Sequence, residues 1–81
     1  EHSMIIKILG SGCKKCITLT ENTQAALANL GREAQIIKVT DFAEIAAHGV
    51  MSTPALVIDN KVVSVGKVLS TEEVEKQLGG N

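Results

Sequence analysis

The chain has 81 residues, of which 44% are hydrophobic, one (Phe42) is aromatic, and eight basic against nine acidic side chains leave a formal net charge of −1. A chain of this length buries a single core, and its apolar content excludes disorder, so one globular domain is expected over residues 4–81. Near-neutral charge and a missing aromatic surface exclude a general nucleic-acid interface, and no apolar run approaches the roughly 18 residues that span a membrane.

In chain order, Glu1-His2-Ser3 ahead of Met4 reads as an added leader, with Met4 as the native start. "MIIKIL", residues 4–9, is a short apolar run rich in β-branched Ile and ended by Gly10-Ser11-Gly12, the pattern of a buried strand and a tight turn. Residues 13–30 suit a helix: Ala25, Ala26, Leu27, Ala28 and Leu30 favour it and Gly31 stops it, while Thr18, Thr20, Asn22 and Thr23 weaken its middle. "AQIIKV", 34–39, predicts a second strand. Asp41 and Glu44 then form a capping-box pattern for a short helix closed by His48-Gly49. "ALVID", 55–59, and "KVVSV", 61–65, predict a hairpin turning at Asp59-Asn60. Ser70 and Glu73 cap a last helix running through Leu78, and Gly79-Gly80 end it.

The resulting order is β-α-β-α-β-β-α. A right-handed β-α-β crossover makes the first two strands parallel, and the hairpin adds an antiparallel pair. The fold class is therefore α/β, a mixed four-stranded sheet flanked by helices.

The only cysteines, Cys13 and Cys16, are spaced C-x-x-C with Lys14 and Lys15 between them. This spacing serves either disulfide exchange or capture of a soft metal ion. The pair falls where the first strand has ended and the first helix begins. Unpaired N–H groups and the helix dipole there favour a thiolate, and Lys14 and Lys15 add positive charge as electrostatic support. Such surroundings lower a thiol pKa from about 8.5 to about 3.5–7.5. Cys13 is thus the expected nucleophile. Cys16, one turn deeper on the same side, is the expected resolving thiol with a higher pKa. A purely structural cross-link over so short a loop would contribute only about 2 kcal/mol.

Metal carriage of Cu(I) or Zn(II) by the C-x-x-C is the rival. Small copper carriers run β-α-β-β-α-β, with the hairpin in the middle, whereas here it comes late. A structural zinc site needs four ligands, and only Cys13, Cys16 and His48 are at hand. Ligand count and element order favour redox chemistry with no bound metal. His48 at the end of its short helix suits the last carbonyls and the dipole. Met51 suits packing or the edge of a substrate groove. With two cysteines and no export pattern, a reducing, cytoplasmic setting and a monomer are expected.

Pro54 is the only proline and immediately precedes the third strand, a tolerated position in itself. Together the C-x-x-C opening a first helix and the late Thr-Pro entering a hairpin resemble the thioredoxin superfamily. More closely, "GSGCKKC" with "GVMSTPALVIDNKVVSVGKV" resembles the small glutaredoxin-like thioredoxin proteins of prokaryotes, the redox-active disulfide proteins, across the chain from Met4. The resemblance implies a thiol–disulfide oxidoreductase whose only redox group is the Cys13–Cys16 pair, with no added cofactor. It implies a cis Thr53–Pro54 peptide beside the cysteines and a substrate-binding backbone at Thr53. Its partners would be a disulfide-containing protein substrate and a thiol or reductase electron donor.

The motif departs from better-known relatives. It lacks the Trp before the first Cys and the Gly-Pro of typical thioredoxins, and the Pro-Tyr of typical glutaredoxins. Lys7 is the one ionisable residue of the first strand, so the thioredoxin acid below the cysteines has no counterpart. Gly66-Lys67-Val68 stands where glutaredoxins carry Gly-Gly and Asp to hold glutathione, which argues against glutathione as a partner.

Overall fold

Residues 4–79 are described by a computed structural model; the suggested leader at 1–3 and the final Gly80 and Asn81 lie outside the described residues. The elements are β1 (Met4–Leu9), α1 (Lys14–Leu30), β2 (Ala34–Val39), α2 (Phe42–Ala47), β3 (Ala55–Ile58), β4 (Lys61–Val65) and α3 (Thr71–Gln77). They follow the predicted order.

One sheet runs β2-β1-β3-β4. β1 and β2 are parallel, while β3 is antiparallel to both β1 and β4. The pleat sends alternate side chains to opposite faces. Ile6, Ile8, Leu56 and Ile58 therefore join Leu19, Ala26 and Leu27 of α1 and Val74 of α3 in one core cluster. Leu9, Val39, Ala55 and Val57 meet Ile45 of α2 and Val50 on the other face. Every residue of β3 is buried, as a central strand covered on both faces requires.

α1 is continuous through the segment that composition weakens. Its hydroxyls bond back to the preceding turn: Thr18 Oγ1 donates to Lys14 O (3.0 Å), Thr20 Oγ1 to Cys16 O (2.9 Å) and Thr23 Oγ1 to Leu19 O (2.8 Å). These bonds let Thr20 and Thr23 sit buried without an unmet donor. Asn22 Nδ2 donates to Leu69 O at 2.8 Å, tying α1 to the start of α3. Gly31, at φ 63°, ends the helix in the left-handed conformation, with Arg32 N–H closing back on Leu27 O at 3.0 Å.

The β3–β4 turn has positive φ at both Asp59 (49°) and Asn60 (69°), the signature of a tight primed hairpin turn. β3 therefore stops at Ile58, one residue short of the sequence expectation, because Asp59 has left the extended region. Its carboxylate instead accepts from Ile5 N–H at 2.9 Å. The capping box of α3 is complete, with Ser70 and Glu73 each bonding the other's backbone. At α2 the capping is one-sided: Asp41 Oδ2 accepts from Glu44 N–H at 3.1 Å, while Glu44 is exposed and makes no return bond among the described residues.

Candidate active site at the start of α1

β1 ends in Gly10, whose N–H donates to Val39 O (2.9 Å) and so extends the β1–β2 ladder by one residue. The chain then turns through Ser11 and Gly12, the latter at φ 82°, where a side chain would be strained. This turn delivers Cys13 to the N-cap of α1, not into its first turn as the sequence suggests. Cys13 is extended (φ −71°, ψ 167°), and its Sγ accepts from Cys16 N–H at 3.2 Å. The sulfur thus takes the place that a serine or aspartate oxygen holds at most helix starts.

The two thiols, both free, differ in exposure and acidity. Cys13 is exposed, and its pKa is lowered first by a hydrogen bond from the Cys16 thiol, then by the Cys16 backbone N–H, with a smaller share from the backbone N–H of Lys15. Donors to a thiolate stabilise the charged form. Cys16 is only 4% exposed, and burial is the main cause that raises its pKa, followed by the Cys13 sulfur that shares its proton. Lys14 and Lys15 both point into solvent. What Lys15 contributes to the acidity of Cys13 is its peptide N–H.

The Thr53–Pro54 peptide is cis. Pro54 is fully buried, and its carbonyl accepts from Gly66 N–H at 2.8 Å. Thr53 is exposed, and neither its N–H nor its C=O enters a backbone hydrogen bond among the described residues. Gly10 lies between this loop and the cysteines. A Cβ there would collide with Cys16 Sγ and stand 3.6 Å from Thr53 Cβ. Cys13, Cys16 and Thr53 thus share one end of the sheet; Met51, two residues before Thr53 in the chain, is 95% exposed.

In the sequence Gly10 shows only as part of a turn. Its second property, bare backbone against the buried thiol, depends on a contact between β1 and α1 that no local pattern encodes. Lys38 is a second unanticipated neighbour: with Ile8, Gly10 and Thr20 it lines a cavity beside Cys16. Here a signal was present, since Lys38 falls on the same alternation as the inward Ile36. His48 forms the C-cap of α2 through its backbone N–H. Among the described residues, no three His, Cys, Asp or Glu side chains converge as metal ligands, and no helix is long and apolar enough to cross a membrane.

The family described as "Thioredoxin domain" matches residues 4–79. The chain is 43% identical over 75 residues to a thioredoxin of Methanocaldococcus jannaschii, covering 93% of this chain and 86% of that protein. It is 35% identical over 75 residues to a thioredoxin of Methanothermobacter thermautotrophicus, covering 93% and 97%. Of solved structures, malaria parasite thioredoxin-2 superimposes with a TM-score of 0.73 at 14% identity over 98% of this chain and 84% of that one. A second, described as "Structure of a malarial protein", does so with a TM-score of 0.72 at 12% identity over 96% of each. At such identities the two structures speak for the fold alone.

Proposed function

The chain belongs to the thioredoxin family and is a protein of the oxidoreductase type, and from that footing we propose that it reduces protein disulfides with Cys13 as nucleophile and Cys16 as resolving thiol. The observation that carries this reading is the contrast between an exposed Cys13, made acidic by the donors it caps, and a buried Cys16 whose proton is held. Cys13 thiolate attacks one sulfur of the substrate disulfide. A Cys13–substrate bond forms, the substrate bond breaks, and the departing thiolate takes a proton from water. Cys16 then loses its proton and attacks Cys13 Sγ, closing the Cys13–Cys16 disulfide and releasing the second substrate thiolate. Two electrons pass to the substrate, and an external thiol or a reductase restores the pair.

Thr53 supports the same reading as a docking edge. Its unused N–H and C=O are available to an extended substrate segment beside Cys13, by the main-chain pairing that sheet edges use. Pro54 has no N–H to compete for the thiolate. Lys14 and Lys15 flank the exposed sulfur, and their charges favour an acidic segment in the partner.

The test is reduction of insulin by dithiothreitol in the presence of the protein. The wild type accelerates turnover and Cys13→Ser does not; mixed with insulin in the absence of dithiothreitol, Cys16→Ser accumulates a mixed disulfide with substrate through Cys13. Trapping through Cys16 in a Cys13→Ser protein, with none in Cys16→Ser, would reverse the roles.

A further inference from the structure

Resolution demands that Cys16 give up a proton while it is buried, and burial holds that proton on. β1 offers no carboxylate for the purpose. Lys7 is its one ionisable residue, and it starts on the face of the sheet that Leu9 and Val57 occupy, away from α1.

On the α1 side a cavity of about 30 Å³ opens beside Cys16, and among the described residues Lys38 is the one charged residue in its lining. The register explains why a lysine is there. β1 and β2 pair Ile6 with Ile36 and Ile8 with Lys38. Ile6 and Ile8 belong to the core under α1, and Ile36 packs against that core. Lys38 therefore continues an apolar row on its inward face. β2 is an edge strand, so the aliphatic stem can border the cavity while the ammonium reaches water. Thr20 and Thr40, also in the lining, carry no charge, and neither do Ile8, Gly10, Gly12 and Ile17. Among the described residues, the other titratable group facing Cys16 is Cys13 on its own helix, which is neutralised as a mixed disulfide when resolution begins.

We propose that Lys38 is the positioning charge for resolution: its ammonium stabilises the thiolate that forms on Cys16, in a site where no buried acid lies among the described residues. The proposal rests on the disulfide-exchange reading above. In the step it serves, the Cys16 proton leaves to solvent, and Cys16 thiolate attacks Cys13 Sγ. The Cys13–Cys16 bond forms while the Cys13–substrate bond breaks, and the substrate leaves as a thiolate that solvent protonates. Lys38 stays protonated throughout.

Stopped-flow reaction of the reduced protein with dithionitrobenzoate separates the two steps, because each releases one coloured thiolate. The first phase is attack by Cys13 and the second is resolution by Cys16. In Lys38→Met the first phase is unchanged, and the second slows about tenfold at neutral pH as its pH midpoint rises by about one unit. Lys38→Arg, which keeps the charge, restores both rate and midpoint. A Lys38→Met protein whose second phase keeps the wild-type midpoint would overturn the proposal, as would an arginine variant as impaired as the methionine one. A wild type that shows no second phase would instead overturn the disulfide-exchange reading itself.

Discussion

Cys13 is both a helix cap and a nucleophile, and the two roles draw on the same donors. The Cys16 N–H that Cys13 Sγ accepts would otherwise be one of the orphan donors of the α1 start. The bond is stronger to a thiolate than to a thiol, so capping the helix and acidifying the sulfur are one interaction. Iodoacetamide labelling of the folded, reduced protein is therefore expected to modify Cys13 with a midpoint below that of an ordinary thiol. Cys16 should resist until the protein is unfolded. Equal labelling of both in the fold would contradict the difference in burial. Gly10 gives a second expectation at this scale. Gly10→Ala drives a methyl group into the space of Cys16 Sγ, and overpacking of this kind costs about 1–3 kcal/mol. A urea melt of the reduced protein reads the loss. The C-x-x-C spacing and the Thr-Pro were legible from the residues alone, because motif and element boundary coincide in one stretch of chain. The contact of Gly10 with the buried thiol was not, because it arises where β1 packs against α1, whereas the place of Lys38 beside the cavity could be traced through its alternation with Ile36.

At the scale of elements, the end of each is set by residues whose side chains replace missing backbone partners. Ser70 and Glu73 satisfy two N–H groups at the start of α3, which is why the capping pattern located that helix correctly. Ser70→Ala removes one partner of the box and is expected to cost about 1 kcal/mol, lowering the melting temperature by about 4–8 °C in a domain of this size. Circular dichroism melts of the two proteins check it. Asn22→Ala should cost a comparable amount for another reason: it leaves the part-buried carbonyl of Leu69 without its donor. The same residue shows where propensity misleads. Thr18, Thr20, Asn22 and Thr23 read as a weak middle for α1, yet the hydroxyls cap carbonyls one turn back and Asn22 holds α3. Propensity prices a residue in an isolated helix, and these are paid for by the core and by a neighbouring helix. The hairpin is legible in the sequence because Asp59-Asn60 tolerates positive φ at both positions, a requirement local to two residues.

For the whole molecule, the unequal thiols couple redox state to stability. Cys13 has a pKa in the fold below that of an ordinary thiol, about 8.5. Its contribution to the reduced protein is complete above that ordinary value and is lost as pH falls through the lowered one. Burial raises Cys16 above the ordinary value. Its neutral form is the one the fold accepts, so its contribution is complete below the ordinary value and is lost as pH rises toward the raised one. Neither group titrates in the oxidised protein, where both sulfurs are in the disulfide. Subtracting the stability of the oxidised form from that of the reduced form removes the carboxylates and lysines common to both and leaves the two thiols. That difference should rise with pH from the lowered Cys13 value to the neighbourhood of the ordinary thiol pKa, about 8.5, and fall beyond it. Stabilising the dithiol relative to the disulfide also makes the pair more oxidising, as a thermodynamic cycle through the unfolded chain requires. Urea unfolding of both forms at stepped pH measures the difference, and equilibration against a glutathione buffer measures the potential independently. The two curves should track each other, and a stability difference that stays flat from neutral pH to about 8.5 would show that Cys13 is not acidified by the fold.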